Sequence, residues 1–380
     1  MNDVVWYFGL EPINARYTGQ LSQRWIPDTF KDFDFRPVPG TAVDSTINQG
    51  VVLDACNRGI YAMAQASNFL KLISQGEVTR GQSLYVQDFW HPGLEAIYYA
   101  LDLYGIPLKI YSMLHAQSVD EYDFTYDMRD WMRPIELGYA KKMEAIFVGS
   151  TIHRDQLRSA GIDTKIHVVS LPYGKEDTAN IVPNANMKEN QVIFTSRLDK
   201  EKNPYFLLEV IKQFLKENPA WTWLITTSGT EIKSNLSGVV NTFRKYAESE
   251  SRFRIKENLT KSEYYNLLDS SKILFNSSLQ DYVSWTSIEA HTFGTRFICP
   301  RFRSFYDFCS IAKMYEPFSV ESAILHLNVA VKYETYGSID RDLSGISDLG
   351  RKMVAYIIKN PDLKEINIWH ELEYCKMLLS

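Results

Sequence analysis

Four charged residues in the second half of the chain have the types and spacing to bind an anionic molecule that also carries hydroxyls. Arg197 and Lys202 are five residues apart, and Asp281 and Glu289 are eight residues apart. A guanidinium offers a planar fork of donors and an ammonium a mobile point charge, which together suit a diphosphate. Each carboxylate can accept several hydrogen bonds from neighbouring hydroxyls. The four residues therefore predict a site for a molecule with a diphosphate and several hydroxyls.

Both pairs lie where a predicted buried strand ends and a helix begins, and open α/β sheets bind ligands at this edge. The predicted helix that runs to Phe293 starts near Thr286 and Ser287. The backbone N–H groups of these two residues would have no partner within that helix, and its dipole favours an anion at the same end. We therefore expect Thr286 and Ser287 to join Arg197 and Lys202 in binding the phosphates.

Apolar runs alternate with helix-period segments almost from end to end, which is typical of βα units with parallel sheets. The polar segment 175–190 lacks periodicity and predicts a linker between domains 1–174 and 191–360, and 361–380 is expected to form a terminal amphipathic helix. Strands are predicted near residues 4–8, 83–89, 108–114, 145–149, 167–170, 192–195, 222–226, 253–255, 273–276 and 297–299.

The two charge intervals resemble those of retaining glycosyltransferases of family 4. That family has a Gly-Arg-Leu…Lys-Gly stretch and a motif of an acid, seven residues and a Glu, and both intervals match here. Residues 290–298 are similar to the family's Ala-Met-Ala-x-Gly-x-Pro-Val-Ile stretch. Asp281 replaces the first Glu of the motif, and Tyr282-Val283-Ser284 replaces Gly-Phe-Gly. The second departure alters the wall that meets the donor sugar in the family, so the resemblance does not identify the sugar.

The resemblance implies an α/β fold of the GT-B type, with two facing Rossmann-like domains, parallel sheets and a C-terminal helix that crosses back to the first domain. It implies a retaining, metal-independent transferase with a nucleotide-sugar donor, expected to be UDP-linked, as substrate and with no cofactor. In this family the second domain binds the donor. By resemblance, Glu289 holds the ribose hydroxyls and Asp281 meets the donor sugar. The base is expected near Asn258, at the end of the preceding predicted strand, where no motif identifies it. Whether the reaction proceeds on one face or by double displacement stays open.

The first domain is the acceptor side in this family, and His115 is its candidate catalytic residue together with Asp281. His115 ends a predicted strand, where the family places a His close to the transferred sugar. An imidazole there could donate to a sugar hydroxyl or stabilise charge in the transition state. His91 is the rival candidate. The loop after the first strand supplies the acceptor-binding candidates Glu11, Arg16, Tyr17 and Gln20.

More ordinary interpretations remain open for several of these residues. Arg197 and Lys202 could be solvated charges paired with neighbouring acids, and Glu289 could lie on the exposed side of an amphipathic helix. The loop after the first strand could be a plain βα connection in which Thr18 caps the next helix. The Asp-x-Asp triplets at 32–34 and 340–342 follow no convincing central strand, so we interpret them as surface acids and predict no metal site.

Composition limits the other classes of function. The 380 residues, 45% of them hydrophobic and 23% charged, suffice for two globular domains, and the net charge of −5 disfavours a protein that binds nucleic acid over its whole surface. The four scattered cysteines contain no Cys-x-x-Cys pair, which argues against a zinc site or a disulfide framework. A basic leader and a run long enough to span a bilayer are both missing, so we expect a cytoplasmic protein without stable membrane association.

The acceptor is the least determined part of the prediction. Basic and aromatic residues interleave at 129–133 and 301–306, a mixture that can bind a phosphate backbone and stack bases. The compact, divergent chain is similar to bacteriophage-encoded enzymes that glycosylate hydroxymethylated bases in DNA, which makes modified DNA in the host cytoplasm the expected acceptor. A glycan, lipid or small-molecule acceptor is the alternative, as is a non-catalytic protein that binds sugar nucleotides.

Overall fold

The computed structural model forms two compact units. The first consists of Met1–Tyr173 together with Ser347–Ser380, and the second of Gly174–Ile346. The first unit is therefore built from two separate stretches of the chain. The residues described are 3–12, 17–42, 55–174, 188–333 and 342–380.

Two expected domain boundaries differ from the structure. The chain returns to the first unit at Ser347, not at residue 361. Most of the predicted linker 175–190 lies outside the described residues, and its last two positions belong to a strand that begins at Glu189.

The first unit contains a sheet of six parallel strands. They are β1 (Val4–Phe8), β2 (Asp34–Pro37), β3 (Ser83–Val86), β4 (Lys109–Met113), β5 (Ala145–Val148) and β6 (Lys165–Val168). Their order in the sheet is β2-β1-β3-β4-β5-β6. β3 and β5 are buried at every position, as expected for short apolar runs inside a parallel sheet that is covered on both faces.

The second unit contains a second sheet of six parallel strands. They are β7 (Glu189–Phe194), β8 (Thr222–Ser228), β9 (Phe253–Leu259), β10 (Ser271–Phe275), β11 (Arg296–Pro300) and β12 (Met314–Tyr315). Their order is β12-β11-β10-β7-β8-β9. β9 forms one edge, and its side chains alternate between more and less exposed positions because only one face is well covered.

Helices connect most of the strands. They are α1 (Tyr17–Gln20), α2 (Ile26–Thr29), α3 (Ala55–Ser74), α4 (Leu94–Tyr104), α5 (Arg129–Ala140), α6 (Thr151–Ser159), α7 (Pro204–Glu217), α8 (Val239–Ser249), α9 (Lys261–Ser270), α10 (Trp285–Thr292), α11 (Phe305–Phe308), α12 (Val320–Lys332), α13 (Leu343–Lys359) and α14 (Leu372–Leu379). A π-helical turn at Leu21–Trp25 joins α1 to α2. The fold is thus the predicted α/β arrangement of two parallel sheets with helices.

In each sheet the strand order reverses next to the first strand of the unit. The chain leaves β1 toward β2 and then crosses to β3 on the other side of β1; in the second sheet it leaves β7 toward β8 and crosses later to β10. Loops that leave the carboxyl ends of such a strand pair diverge and leave a crevice, which is where doubly wound sheets bind ligands. The fold therefore provides one such position in each unit, at β1/β3 and at β7/β10.

The core of the second unit is organised around the buried indole of Trp223 on β8. Its ring meets Phe214 of α7 at a centroid distance of 5.6 Å and Phe275 of β10 at 5.5 Å, both edge-to-face. Phe275 also stacks on Tyr315 of β12 at 5.2 Å. These contacts hold the strands on both sides of β7 against one helical layer and fix the loops that follow β7 and β10.

The C-terminal segment belongs to the first unit but is only partly helical. Residues 366–368 are extended and pair with the edge strand β6, with the Val168 N–H donating to Ile366 O and the Ile368 N–H to Val168 O, both at 2.9 Å. The Trp369 indole is buried and donates to Gly149 O at 3.0 Å. Of the helix predicted over 361–380, only α14 is present, because residues 366–368 instead satisfy the backbone groups of an open sheet edge.

α13 makes an unusually close approach to the end of β6. A Cβ on Gly350 would lie 1.7 Å from Val169 O, so only a glycine allows this distance. Near it, the hydroxyls of Ser170 and Ser347 are 2.8 Å apart, and the Arg351 guanidinium donates to Trp25 O at 2.8 Å. α13 is therefore a packed part of the first unit.

We predict that Gly350→Ala destabilises the first unit, because the helix must move away from β6. The expected loss is about 1–3 kcal/mol, as for other overpacked positions, measured by urea unfolding monitored by tryptophan fluorescence. Gly138→Ala in α5 is the matched control, since a Cβ there has no neighbour within 4 Å. It should be neutral or slightly stabilising. Equal stability of the two variants would contradict the role assigned to the close approach.

Candidate functional site

The loops that follow β7 and β10 are bonded to each other. The Leu279 N–H donates to Glu201 O at 2.7 Å, and the Ser277 hydroxyl donates to Lys202 O at 2.6 Å. The predicted basic and acidic segments therefore form one continuous surface at the β7/β10 crevice. We call this surface, residues 195–203 and 276–287, the charged ledge.

Lys202 and Asp281 lie together on the charged ledge. The Lys202 Nζ is 3.9 Å from Asp281 Oδ2 and donates to Gln280 O at 3.2 Å. The amide of Asn276 lies 3.4 Å from the same Asp281 oxygen, and the Ser304 hydroxyl donates to the Asp281 carbonyl. The ammonium and the carboxylate are thus both held in place, and each keeps part of its surface exposed.

Arg197 is engaged by acids of its own loop. Its guanidinium contacts Asp199 and lies 3.5 Å from Glu201 Oε1, while about 30% of its side chain remains exposed. Asp199 is nearly buried and accepts the N–H of Asn235 at 2.8 Å. The interpretation of Arg197 as a cation paired with neighbouring acids therefore describes the unliganded protein.

The charged ledge carries as many acids as cations. Arg197, Lys200 and Lys202 are balanced by Asp199, Glu201 and Asp281, so its formal charge is zero. A diphosphate would have to displace one of the acids from Arg197. Glu201 is the candidate because its contact is long and it is less buried than Asp199.

The start of α10 is only partly available to an anion. The Ser287 N–H donates to Ser284 O at 3.0 Å, the Ser287 hydroxyl donates to the same oxygen at 2.6 Å, and Ser287 is fully buried. The expectation that the Ser287 N–H lacks a partner is therefore wrong, because the first turn of α10 closes tightly on the carbonyl of its N-cap residue, Ser284. Thr286 lies in the first turn, half-buried, with its hydroxyl 2.9 Å from that of Ser284. α10 ends at Thr292, one residue before the predicted end.

Glu289 is buried against α9. Its oxygens lie 2.7 Å from Lys261 Nζ, 2.7 Å from the Tyr264 hydroxyl and 3.4 Å from the Tyr265 hydroxyl. Burial, together with the Glu289 charge, raises the pKa of Tyr264 well above its ordinary value. The interpretation of Glu289 as an exposed helix residue is therefore wrong. Sequence reasoning missed Lys261, which lies 28 positions away and belongs to no motif.

Asn258 lies at the carboxyl end of β9, on the same edge of the sheet as the ledge. It is exposed, has the left-handed φ of 56°, and its N–H donates to Thr230 O at 3.0 Å. β9 is two strands away from β7, so Asn258 lies beside the ledge and not within it.

In the first unit, His115 directly follows the end of β4. Its Nε2 lies 3.4 Å from Gln87 Nε2, and burial lowers its pKa below the ordinary value, so the ring is neutral at pH 7. The rival His91 is completely buried, and its Nε2 is 3.1 Å from Gln65 Oε1. His91 is a core residue, whereas His115 is half-buried at the carboxyl edge of the sheet.

The acceptor-binding candidates in the loop after β1 differ in burial, and some of them lie outside the described residues. Glu11 is buried and lies 3.4 Å from Arg58 Nη1 of α3. Arg16 and the side chain of Tyr17 lie outside the described residues, as does the side chain of Thr18, the cap of the alternative interpretation. Gln20 is half-buried just before the π-helical turn. Arg58 and its second partner, Asp88, were missed because they lie far from Glu11 in sequence.

The described residues contain no group of three or more His, Cys, Asp or Glu side chains suited to a metal ion. Asp34 of the first Asp-x-Asp triplet pairs with Arg36 on the edge strand β2, and most of the second triplet lies outside the described residues. Within the same described part of the chain, each helix is too short or too polar to span a bilayer.

No protein-family model matches the chain, and no curated protein matches it in sequence. Solved structures do resemble it. Sucrose-phosphate synthase from Thermosynechococcus elongatus is similar with a TM-score of 0.63 and 10% identity, with 99% of each chain covered. The lipopolysaccharide outer core galactosyltransferase WaaB is similar with a TM-score of 0.62 and 13% identity, covering 96% of this chain and 100% of that one.

S. aureus TarM, in a complex with fondaparinux, α-GlcNAc-glycerol and UDP, is similar with a TM-score of 0.53 and 13% identity. Here 78% of this chain is covered, but the chain spans only 57% of the TarM chain and 61% of a chain of the GtfA/B complex. At these identities the comparisons show the fold, which is the GT-B type of these glycosyltransferases.

We predict that Glu201→Gln tightens the binding of UDP by about two- to fivefold, the range expected for one partly exposed charge. The change removes the acid that competes for Arg197 and that repels a diphosphate. Isothermal titration calorimetry with UDP measures the effect. Glu209→Gln on the exposed side of α7 is the matched control and should bind like the unmodified protein. Weaker binding by Glu201→Gln would show that Glu201 does not oppose the nucleotide.

Proposed function

We propose that the protein is a glycosyltransferase that moves a sugar from a nucleotide sugar, UDP-linked in the first instance, to an acceptor hydroxyl. The observation that carries the proposal is the charged ledge. It brings Arg197 and Lys202 together with Asp281 at the reversal of strand order in the second unit, where such a fold binds ligands. The similarity to glycosyltransferases of known structure supports the same activity.

In this proposal the diphosphate binds to the charged ledge. Arg197 exchanges its contact with Glu201 for a bidentate contact to a phosphate, and Lys202 supplies a second positive charge. Thr286 adds the dipole of the α10 start. These groups neutralise the charge that develops on the leaving phosphate, which is why we propose that no metal ion is needed. Activity that survives saturation with a chelator would support this part.

The remaining donor contacts follow the same logic. Asp281, fixed by Lys202 and Asn276, accepts hydrogen bonds from hydroxyls of the donor sugar. Glu289 accepts from the ribose, in which case the ribose hydroxyls replace donors of α9 that now occupy the carboxylate. Asn258, at the end of β9, is the proposed contact to the base.

We propose that the reaction retains the anomeric configuration. The acceptor oxygen forms its bond to C1 on the face from which the phosphate oxygen leaves, and the acceptor proton passes to that phosphate oxygen. The protein then contributes position and electrostatics and no nucleophile of its own. His115 is assigned the role of donating a hydrogen bond to the transferred sugar, since its neutral imidazole can carry one N–H donor.

A groove on the first unit is the reason to test DNA as an acceptor. It has a volume of about 540 Å³ and is lined by Tyr126, Arg129 and Arg133, among others, and both arginines are exposed. The Arg129 guanidinium stacks on Tyr126 at 4.4 Å and donates to Tyr126 O at 3.1 Å, so a cation and an aromatic ring lie together in the groove, and both are groups that can contact a nucleic-acid strand. The groove also contains Asp130, which reduces its positive charge. A hydroxymethylated base in DNA is therefore the acceptor to be tested against a glycan or small molecule.

We predict that Arg197→Ala and Glu289→Gln each lower the rate of sugar transfer by at least about 100-fold, as the loss of one group that stabilises the transition state does. The assay is mass spectrometry of products after incubation with a panel of nucleotide sugars and acceptors. Arg244→Ala, which removes a surface pair with Glu257 in the same unit, is the control and should keep full activity.

Near-normal turnover in both variants would refute the roles assigned to Arg197 of the ledge and to Glu289. The protein could instead bind sugar nucleotides without catalysis, since Tyr282, Val283 and Ser284 form a buried wall where the resembled family has Gly-Phe-Gly. Calorimetric binding of UDP-sugars without transfer or hydrolysis would identify that case.

We predict that, if DNA is the acceptor, its binding weakens steeply as salt rises. Replacing Arg129 and Arg133 with Gln should reduce the slope of log K against log salt by about 1.4 to 1.8 in total, for two phosphate contacts. Fluorescence anisotropy with hydroxymethylated single- and double-stranded oligonucleotides measures the slope. Arg154→Gln, a surface arginine of α6 paired with Asp155, is the control. A DNA affinity that does not change with salt concentration, or no binding at all, would count against a DNA acceptor.

A further inference from the structure

A buried group of charges lies at the reversal of strand order in the first unit. Glu11 follows β1, Asp88 follows β3, and Arg58 comes from the first turn of α3 between them. Arg58 Nη1 is 3.4 Å from Glu11 Oε2, and Arg58 Nη2 is 3.4 Å from Asp88 Oδ2. We call these three residues the acid–arginine cluster. It occupies the β1/β3 crevice just as the charged ledge occupies the β7/β10 crevice.

The guanidinium of this cluster is incompletely satisfied. Both ion contacts are about half an ångström longer than an ordinary charge-assisted hydrogen bond of roughly 2.7–2.9 Å. Arg58 Nε and Nη1 are buried and have no hydrogen-bond acceptor among the described residues. A buried donor without an acceptor is costly, and side chains arranged only for stability rarely leave two on one guanidinium. These donors therefore point to a missing acceptor oxygen.

The surroundings place the cluster within reach of a ligand. Glu11, Arg58 and Asp88 are 3%, 6% and 6% exposed, so they lie just beneath the surface, and Pro12 next to Glu11 is exposed. Half-buried His115 lies on the same edge and is close enough to Asp88 and Arg58 for both charges to act on it. The cluster and the proposed acceptor-side histidine thus belong to one region.

The charge of the cluster selects the ligand. Two carboxylates and one guanidinium give a formal charge of −1, and neither Gln87 nor neutral His115 changes it. A phosphate or carboxylate entering here would meet two like charges at short range. A hydroxyl, in contrast, can accept from Arg58 and donate to Glu11 or Asp88 at the same time. Vicinal hydroxyls of a sugar would satisfy both ends of the cluster.

We propose that the acid–arginine cluster binds a neutral, hydroxyl-rich part of the acceptor, a sugar or polyol, and discriminates against phosphorylated ligands. The proposal rests on the proposed transferase function, which it deepens by naming the acceptor class. Arg58 acts as the donor to the ligand, and the two carboxylates set its specificity. The cluster thus favours a glycan over a DNA base as the acceptor.

Saturation-transfer NMR with the full-length protein tests the proposal without a donor. The probes are neutral and phosphorylated partners: glycerol and glycerol 3-phosphate, glucose and glucose 6-phosphate, N-acetylglucosamine and its 6-phosphate. We expect at least one neutral probe to bind at least tenfold more tightly than its phosphorylated partner. The combined change of Glu11→Gln and Asp88→Asn should reduce this preference to below threefold.

A second variant tests the proposal independently of the double variant, and a control variant tests whether the loss of acids elsewhere in the unit has the same effect. Arg58→Lys keeps the charge but loses the fork, and should weaken the neutral probe at least fivefold even if the double variant does not fold. The control combines Asp102→Asn and Asp155→Asn, two exposed acids of the same unit, and should leave binding unchanged. Tighter binding of phosphorylated probes, no binding of any neutral probe, or an unchanged preference in the folded variants would overturn the proposal.

The hydrolysis of UDP-sugars in the absence of acceptor separates this result from a failure of the proposed function. If no UDP-sugar is hydrolysed but neutral sugars still bind, the proposed transferase function is wrong and the proposed role of the acid–arginine cluster stands. If UDP-sugars are hydrolysed normally but neutral and phosphorylated probes bind equally well, only the proposed role of the acid–arginine cluster is wrong. Sugar transfer to hydroxymethylated DNA at a rate that is unchanged by substitution of Arg58 would also overturn the proposal.

Discussion

The reversal of strand order beside the first strand of each sheet is the constraint on which both candidate sites depend. Parallel strands need long connections, and connections that leave neighbouring strands in opposite directions cannot cover the space between their ends. In this chain the uncovered positions fall at β1/β3 and β7/β10. Charged side chains occupy both positions, although such residues are costly to desolvate. Their concentration there is hard to explain by folding alone.

The two sites stabilise their partly or fully buried charged side chains in different ways. On the charged ledge, long side chains with partial exposure can exchange partners, and Arg197 can leave one acid for a phosphate without losing a salt bridge. In the acid–arginine cluster the side chains are buried, and two nitrogens of Arg58 have no hydrogen-bond acceptor among the described residues. A site built from exchangeable ion pairs suits an anion, whereas one built from under-used buried donors suits a neutral polar group.

The fold class could be predicted from the sequence because the patterns that indicate strands and helices lie within short segments of the chain. The apolar runs of β1, β7 and β10 alternate with helical segments, and this alternation predicts parallel sheets. The strands that were missed, β2 and β12, are edge strands without a continuous apolar run, since Asp34 and Arg36 lie in one and the other has two residues. The sequence predicts a helix at residues 366–368, where the structure is extended, because their pattern is amphipathic in either conformation.

The site could be predicted only where a motif fixed the spacing. Lys202 and Asp281 do meet, as their positions after two strands require. The contacts of Glu289 with Lys261 and of Glu11 with Arg58 could not be predicted, because they join elements by tertiary packing with no fixed interval. The hydrogen bond from the Ser287 N–H to Ser284 O depends on the backbone geometry of the first turn of α10, which no residue type there dictates. The sequence alone leaves the pairing of Arg197 open, because the pairing depends on which acids fold back onto the guanidinium.

The division of the first unit between two stretches of chain has a consequence for synthesis on the ribosome. The second unit is continuous and can close its core as soon as residue 346 has emerged. The first unit must wait for Gly350 to reach Val169 and for residues 366–368 to cover the open edge of β6. Until then that edge offers unpaired backbone groups to any other extended chain. The nascent protein is therefore exposed to aggregation mainly through the unit whose first half is translated earliest.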